Sequence, residues 1–178
     1  MITSHSGYAR IAAMDRFEDV RRRAQVNRLW QRLTKRRKRL LPFGPIHGRL
    51  HYPSGVYRGV REIPVRQIVG SLAKASEFDR DFRPLHKNQR ERWANVFALH
   101  AQRGWEPILV HQMGGLFFVE DGHHRTSVAR DLGLDTIEAA VIAYPVSFSL
   151  NADDSLEVIL AGLADWTNLQ DWSNLVSA

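Results

Sequence analysis

The stretch FFVEDGHHRTSVARDLGLDTIEAAVIAY, Phe117–Tyr144, changes its hydrophobic period twice. FFVE completes an apolar run that begins at Leu116, the spacing turns helical from Asp121 to Gly133, and IEAAVIAY returns to a strand pattern. Just upstream, PILVHQ reads as a strand and Met113-Gly114-Gly115 as a tight turn, so PILVHQ and LFFVE form an antiparallel hairpin. The third strand joins the same sheet after the short helix. These alternations predict an α+β domain with a small mixed sheet.

The residues between strand and helix are DGHHR, Asp121–Arg125. Gly122 permits a close turn, and the backbone N–H groups of His123, His124, Arg125 and Thr126 fall among the unpaired donors of a first helical turn. Such donors, backed by the helix dipole, suit an anion. His124 and Arg125 would add charge-assisted bonds, Arg125 through two parallel N–H groups, and Thr126 and Ser127 could add hydroxyls. The same letters also fit a plain capped turn with Asp121 as N-cap and the histidines uninvolved, and spacing leaves both readings open. A shared metal is not expected, because adjacent helical histidines point about 100° apart and the other six histidines show no ligand spacing.

Outward from this core, a strand is expected over Glu62–Val65 with a turn at Gly70-Ser71. A helix follows from about Lys87 to Gln102, stopped by Gly104. Residues 46–61 read as a linker or a short hairpin. At the N-terminus, apolar residues at helical spacing and the acids Asp15, Glu18 and Asp19 predict a helix over 15–39, ended by Pro42 and Gly44. An acidic helix over 153–164 and the near-repeat DWTNL, DWSNL close the sequence as a packing tail.

Charge divides unevenly along the 178 residues. Residues 1–45 hold 12 Lys and Arg against 3 Asp and Glu, while residues 147–178 hold none against 5. This suggests a basic helical arm (1–45), the linker (46–61), a core domain (62–146) and an acidic helical tail (147–178). On the arm, Arg21, Arg22, Arg28, Arg32, Lys35, Arg36, Arg37, Lys38 and Arg39 are candidate nucleic-acid contacts through the phosphate backbone. A solvated packing helix and an amphipathic membrane-surface helix are the competing readings of the same run. The absence of cysteine excludes disulfides, thiolate metal sites and thiol redox chemistry. No window has the length of apolar sequence that a membrane span needs, and a soluble cytoplasmic protein is the simplest expectation.

IPVRQIVGS, followed about fifty residues later by the opening stretch, resembles the ParB/sulfiredoxin-like superfamily, in particular stand-alone bacterial proteins like the ParB N-terminal domain. The likeness runs from about Arg58 to Tyr144, with residues 118–141 as its specific part. It implies a strand-turn-helix that binds nucleotide phosphates: the segment reads GERRxRA in ParB proteins, GGCHR in sulfiredoxins and DGHTR in the free-serine-kinase branch, to which DGHHR is closest. By that resemblance Gly122 is the turn glycine and His124 with Arg125 the phosphate pair. His123 stands at the sulfiredoxin cysteine, which rules out sulfiredoxin chemistry, and also at the ParB glutamate. Ser127 replaces the last arginine of GERRxRA. No helix-turn-helix follows the domain in this sequence, so chromosome partitioning is not expected.

Two function classes follow. One is a nucleotide-binding protein, a switch, NTPase or kinase-like enzyme, with a nucleoside triphosphate on Gly122, His123, His124, Arg125, Thr126 and Ser127. Asp121, together with Glu77, Asp79 or Asp81 of SEFDRDF, would then serve Mg²⁺ or act as general base. The other is a regulatory module that binds DNA or RNA through the arm, with the domain as a phosphate clamp. A homodimer is compatible with either.

Overall fold

The structure, a computed structural model, describes residues 3–33, 39–50, 54–144, 146 and 150–165, with side chains from residue 10 onward except at 101. In chain order the elements are α1 (Thr3–Leu33), β1 (Leu41–Pro42), α2 (Phe43–His47), β2 (Val56–Pro64), β3 (Ile68–Ser71), α3 (Arg90–Arg103), β4 (Ile108–Met113), β5 (Leu116–Asp121), α4 (His123–Leu132) and β6 (Thr136–Ala143). A last helix, α5, occupies residues 156–165. The six strands form one mixed sheet in the order β1-β3-β5-β4-β6-β2. β4 is antiparallel to β5 and parallel to β6, while β3 runs parallel to β5. The expected α+β class, mixed sheet, N-terminal helix and C-terminal helix are all present.

Both faces of the sheet are covered, which is why β5 is buried from Leu116 to Val119 without polar alternation. Phe117 and Val119 join Ile63, Ile68, Ile108, Val110 and Ala129 under α4. Leu116 and Phe118 face the other way, into a cluster with Phe43, Ile46 and Met113 that α5 closes through Ile159 and Leu163. Outside α4, α1 and α3 pack through Phe17, Val20, Trp93 and Val128. α1 thus buries Ala13, Phe17, Val20 and Ala24, a stripe at helical spacing.

Four local expectations change. α1 begins at Thr3, well before the start expected at residue 15, and is described as far as Leu33, while the rest of the helix expected over 15–39 falls on residues 34–38, outside the described residues. Residues 46–61 hold the end of α2 and most of β2, a strand of nine residues where four were expected. β2 pairs only with β6 at the sheet edge and stays exposed on most of its length, so it lacks the alternation that marks a half-buried strand. Gly70-Ser71, expected as a turn, lies inside β3, where a Cβ on Gly70 would sit 2.3 Å from the Phe118 ring and 2.5 Å from the Leu41 carbonyl oxygen. Close strand approach explains that glycine. The acidic helix starts three residues later than expected, at 156. Residues 34–38, with Lys35, Arg36, Arg37 and Lys38, lie outside the described residues, as do residues 166–178 with nearly all of the DWTNL and DWSNL repeat.

Candidate functional site

The turn between β5 and α4 is built on Gly122, whose φ of 100° and ψ of 21° lie in the left-handed region. Space demands glycine as much as the dihedral does, since a Cβ there would meet Ile108 Cγ2 at 2.3 Å. Gly122 is itself the N-cap, and no side chain caps the helix. Asp121 therefore does not fill the N-cap role that the capped-turn reading gave it. Its carboxylate is exposed and pairs with Arg125. The N–H groups of His123, His124 and Arg125 have no intrahelical acceptor by position, and the first helical hydrogen bond runs from Thr126 N–H to Gly122 O at 2.9 Å.

Both histidines turn inward. His123 stacks on Phe78 with ring centroids 5.8 Å apart, and its Nε2 lies 2.7 Å from Ser71 Oγ, which also accepts the Lys74 N–H at 2.8 Å. His124 sets its edge against Phe78, and its buried Nδ1 has no hydrogen-bond partner among the described residues. Burial first, and then the charges of Lys74 and Arg92, hold each imidazole far below its ordinary pKa, at about 4. Each is neutral at pH 7. Hence His124 is a buried, uncharged side chain, where the sequence suggested a cation.

Arg125, Thr126 and Ser127 are engaged within the fold. The Arg125 guanidinium donates to the carbonyls of Glu106 at 2.6 Å and Pro107 at 3.0 Å as well as to Asp121, tying α4 to the segment that enters β4. Thr126 Oγ1 bonds back to Gly122 O at 3.2 Å, and Ser127 Oγ accepts the Trp93 indole N–H at 2.9 Å. Neither hydroxyl is exposed.

The carboxylates of SEFDRDF separate by environment. Asp79 is buried, and its Oδ1 accepts the N–H groups of Asp81 at 3.0 Å and Arg83 at 2.9 Å. Desolvation raises its pKa against those bonds. The turn it holds puts the buried Phe82 at φ 57°, an uncommon conformation for a bulky residue, with the Arg130 guanidinium 5.4 Å from its ring. Asp79 is thus committed to backbone where the sequence offered it as a base. Asp81 is shared by Arg83 and Arg130. Glu77 keeps more freedom: Lys74 and Gln89 approach only its Oε2, at 3.8 and 3.4 Å. Among the described residues no group of three His, Asp or Glu is placed to hold a metal ion.

Sequence reasoning passed over Lys74 and Arg92. Lys74 follows β3, Arg92 lies exposed on α3 with no acidic partner among the described residues, and both act on the two imidazoles. Only the fold brings them to the start of α4, and no local motif marks them. A cavity of about 620 Å³ lies toward the C-terminal end of α4 and is lined by the candidate residues Asp81 and Ser127 together with Arg23, Arg66, Arg83 and Arg130 among others. On the arm, Arg21 pairs with Glu18 and Arg22 with Asp19, whereas Arg28 and Arg32 are exposed and have no acidic partner among the described residues. Arg39 forms a backbone bridge with Asp79.

No family model matches the chain, and no curated protein does. Among solved structures the chain is similar to sulfiredoxin from Arabidopsis thaliana, at 22% identity and a TM-score of 0.36 over 49% of this chain and 88% of that one. It is also similar to the C-terminally truncated chromosome-partitioning protein ParB from Caulobacter crescentus, described in complex with CTP-γ-S, at 21% identity and a TM-score of 0.34. That match covers 64% of this chain and spans 54% of the ParB chain. Both likenesses are distant and partial, and the chemistry of the site stands on the chain's own residues.

Proposed function

We propose that the chain binds a nucleoside triphosphate by its phosphates at the start of α4. The observation that carries this reading is an uncapped helix N-terminus at a left-handed glycine, beside a buried His124 Nδ1 that has no hydrogen-bond partner among the described residues. A buried polar atom without a partner costs free energy, and an arriving phosphate oxygen or hydroxyl would satisfy it. Lys74 and Arg92 supply the charge that helix dipole and amides alone lack. The resemblance of DGHHR to the phosphate motif of its superfamily supports a triphosphate over a single anion. Glu77 Oε1, which has no hydrogen bond or ion pair among the described residues, is the carboxylate oxygen of this loop available to a Mg²⁺ carried in by the phosphates. Arg125 acts here by fixing the turn.

The test is a thermal-shift screen of ATP, GTP, CTP and UTP with and without Mg²⁺. A ligand of the native state raises stability by RT ln(1 + [L]/Kd), about 2.7 kcal/mol at a hundred-fold excess over Kd. At least one triphosphate should raise the midpoint, and Arg92→Ala should shrink that rise. No shift with any of the four would remove the reading. A nucleic-acid clamp stands second, supported by Arg28 and Arg32, exposed and without an acidic partner among the described residues, and predicts duplex affinity that falls steeply with salt.

A further inference from the structure

Helix α1 carries two apolar faces on opposite sides, in successive parts of its length. Ala13, Phe17, Val20 and Ala24 are buried against α3 and α4. After Ala24 the pattern crosses over. Val26, Leu29, Trp30 and Leu33 fall at i, i+3, i+4 and i+7, yet they are 52, 58, 61 and 70% exposed. At 3.6 residues per turn their mean direction is about 160° from that of the buried four. The positions that continue the inward face are Asn27, Arg28 and Gln31, of which Asn27 and Gln31 are half-buried. This stretch of α1 therefore turns its polar side to the protein and its apolar side away from it.

We propose that this outward stripe lies on the surface of an anionic lipid bilayer. Charge selects the occupant. Residues 1–45 have 12 basic and 3 acidic residues, so a second copy seated on the stripe would bring two strongly basic arms together. An anionic surface instead gains from the exposed Arg32, about 110° round the helix from the centre of the stripe, and the exposed Arg28, about 150° from it, neither of which has an acidic partner among the described residues. A nucleic-acid backbone could use those guanidinium groups but has no place for Val26, Leu29 and Leu33. An apolar stripe with exposed arginines round the rest of the same turns describes a helix lying in the plane of the interface, its apolar side in the headgroup and acyl boundary. No helix among the described residues is long and apolar enough to cross a membrane, so the contact is with the surface.

Flotation of the full chain with phosphatidylcholine vesicles, with and without phosphatidylglycerol, tests this. Binding should need the anionic lipid and weaken with salt. Leu29→Ser combined with Leu33→Ser should lower it on the order of ten-fold or more, with the thermal midpoint unchanged because both side chains are exposed. Arg28→Gln with Arg32→Gln should lower it less and flatten the salt dependence. Failure to float on any composition overturns the proposal, as does wild-type binding by the serine double variant. A concentration-dependent dimer that the serine double variant dissolves would reassign the stripe to a second copy. Duplex DNA binding that depends on Arg28 and Arg32, without vesicle binding, would reassign the arginines to phosphate.

Discussion

His123 Nε2 lies 2.7 Å from Ser71 Oγ, joining the first residue of α4 to the last residue of β3 across 52 positions of sequence. Because Ser71 Oγ also accepts the Lys74 N–H, one hydroxyl fixes the imidazole and the loop that carries a cation of the proposed site. Ser71→Ala should leave a buried nitrogen and a backbone N–H unpaired, lowering stability by about 1–3 kcal/mol. Urea denaturation would measure it, and an unchanged midpoint would mean that the bond contributes nothing net.

Gly122→Ala should destabilise the fold by about 2–4 kcal/mol, combining the cost of a left-handed non-glycine residue with overpacking against Ile108. Because the clash is with a β-branched core side chain, loss of ligand binding and loss of stability should appear together. A variant with wild-type stability would show that the turn relaxes without strain.

Arg125 and Arg92 should separate stability from binding. Arg125→Ala removes donors from two carbonyl oxygens that a charged group satisfies, and should lower stability by about 1.5–3 kcal/mol. Arg125→Lys should recover only part, since a point charge cannot span the same acceptors. Arg92→Ala, at an exposed site with no partner among the described residues, should leave the unfolding midpoint in place and weaken triphosphate binding roughly ten-fold or more. Calorimetric titration beside urea unfolding of the three variants reads both quantities. Equal binding by wild type and Arg92→Ala would exclude Arg92 from the site.

The strand-turn-helix from Leu116 to Gly133 was legible because each of its signals is local: an apolar run, a turn glycine, a helical period and a stop glycine. β2 was hidden because an edge strand with both faces exposed has no alternation to show. Gly70 looked like a turn because a glycine forced by close packing of strands is written with the same letter as one forced by φ. At the site, sequence marked the histidines and Arg125 as neighbours on one turn. It could not foresee that burial leaves the histidines neutral or that Arg125 is spent on carbonyls of residues 106 and 107. The membership of Lys74 and Arg92 depends on how β3 and α3 pack beside α4, which no local pattern encodes.

Acid should destabilise the fold through the same two imidazoles. Their folded pKa values, about 4, lie below the unfolded value of 6.5, so below that unfolded value the unfolded chain binds more protons than the native one. The stability that neutral, buried histidines contribute is complete above 6.5 and is lost as pH falls toward 4. Unfolding should take up about two protons in that window, and His124→Asn should remove about one. A flat stability profile there would mean that the rings are hydrated.

Binding of an anion should run against that trend, and this links the titration to the proposed site. Lys74 and Arg92 help keep His123 and His124 deprotonated. An anion seated among these groups would cancel part of that positive potential and raise both imidazole pKa values, so the liganded protein would hold more protons than the free one between about pH 6 and pH 4. By linkage, affinity must then rise as pH falls through this range. Sulfate is the probe to use, because it does not titrate there, whereas a terminal phosphate does. Calorimetry in buffers of different ionisation enthalpy should show proton uptake on sulfate binding at about pH 5 and little at about pH 8. His124→Asn should reduce the uptake while retaining binding at the higher pH. Sulfate binding with no proton uptake at the lower pH would place the anion away from the two histidines, and the start of α4 would then be a turn whose buried polar atoms serve the fold alone.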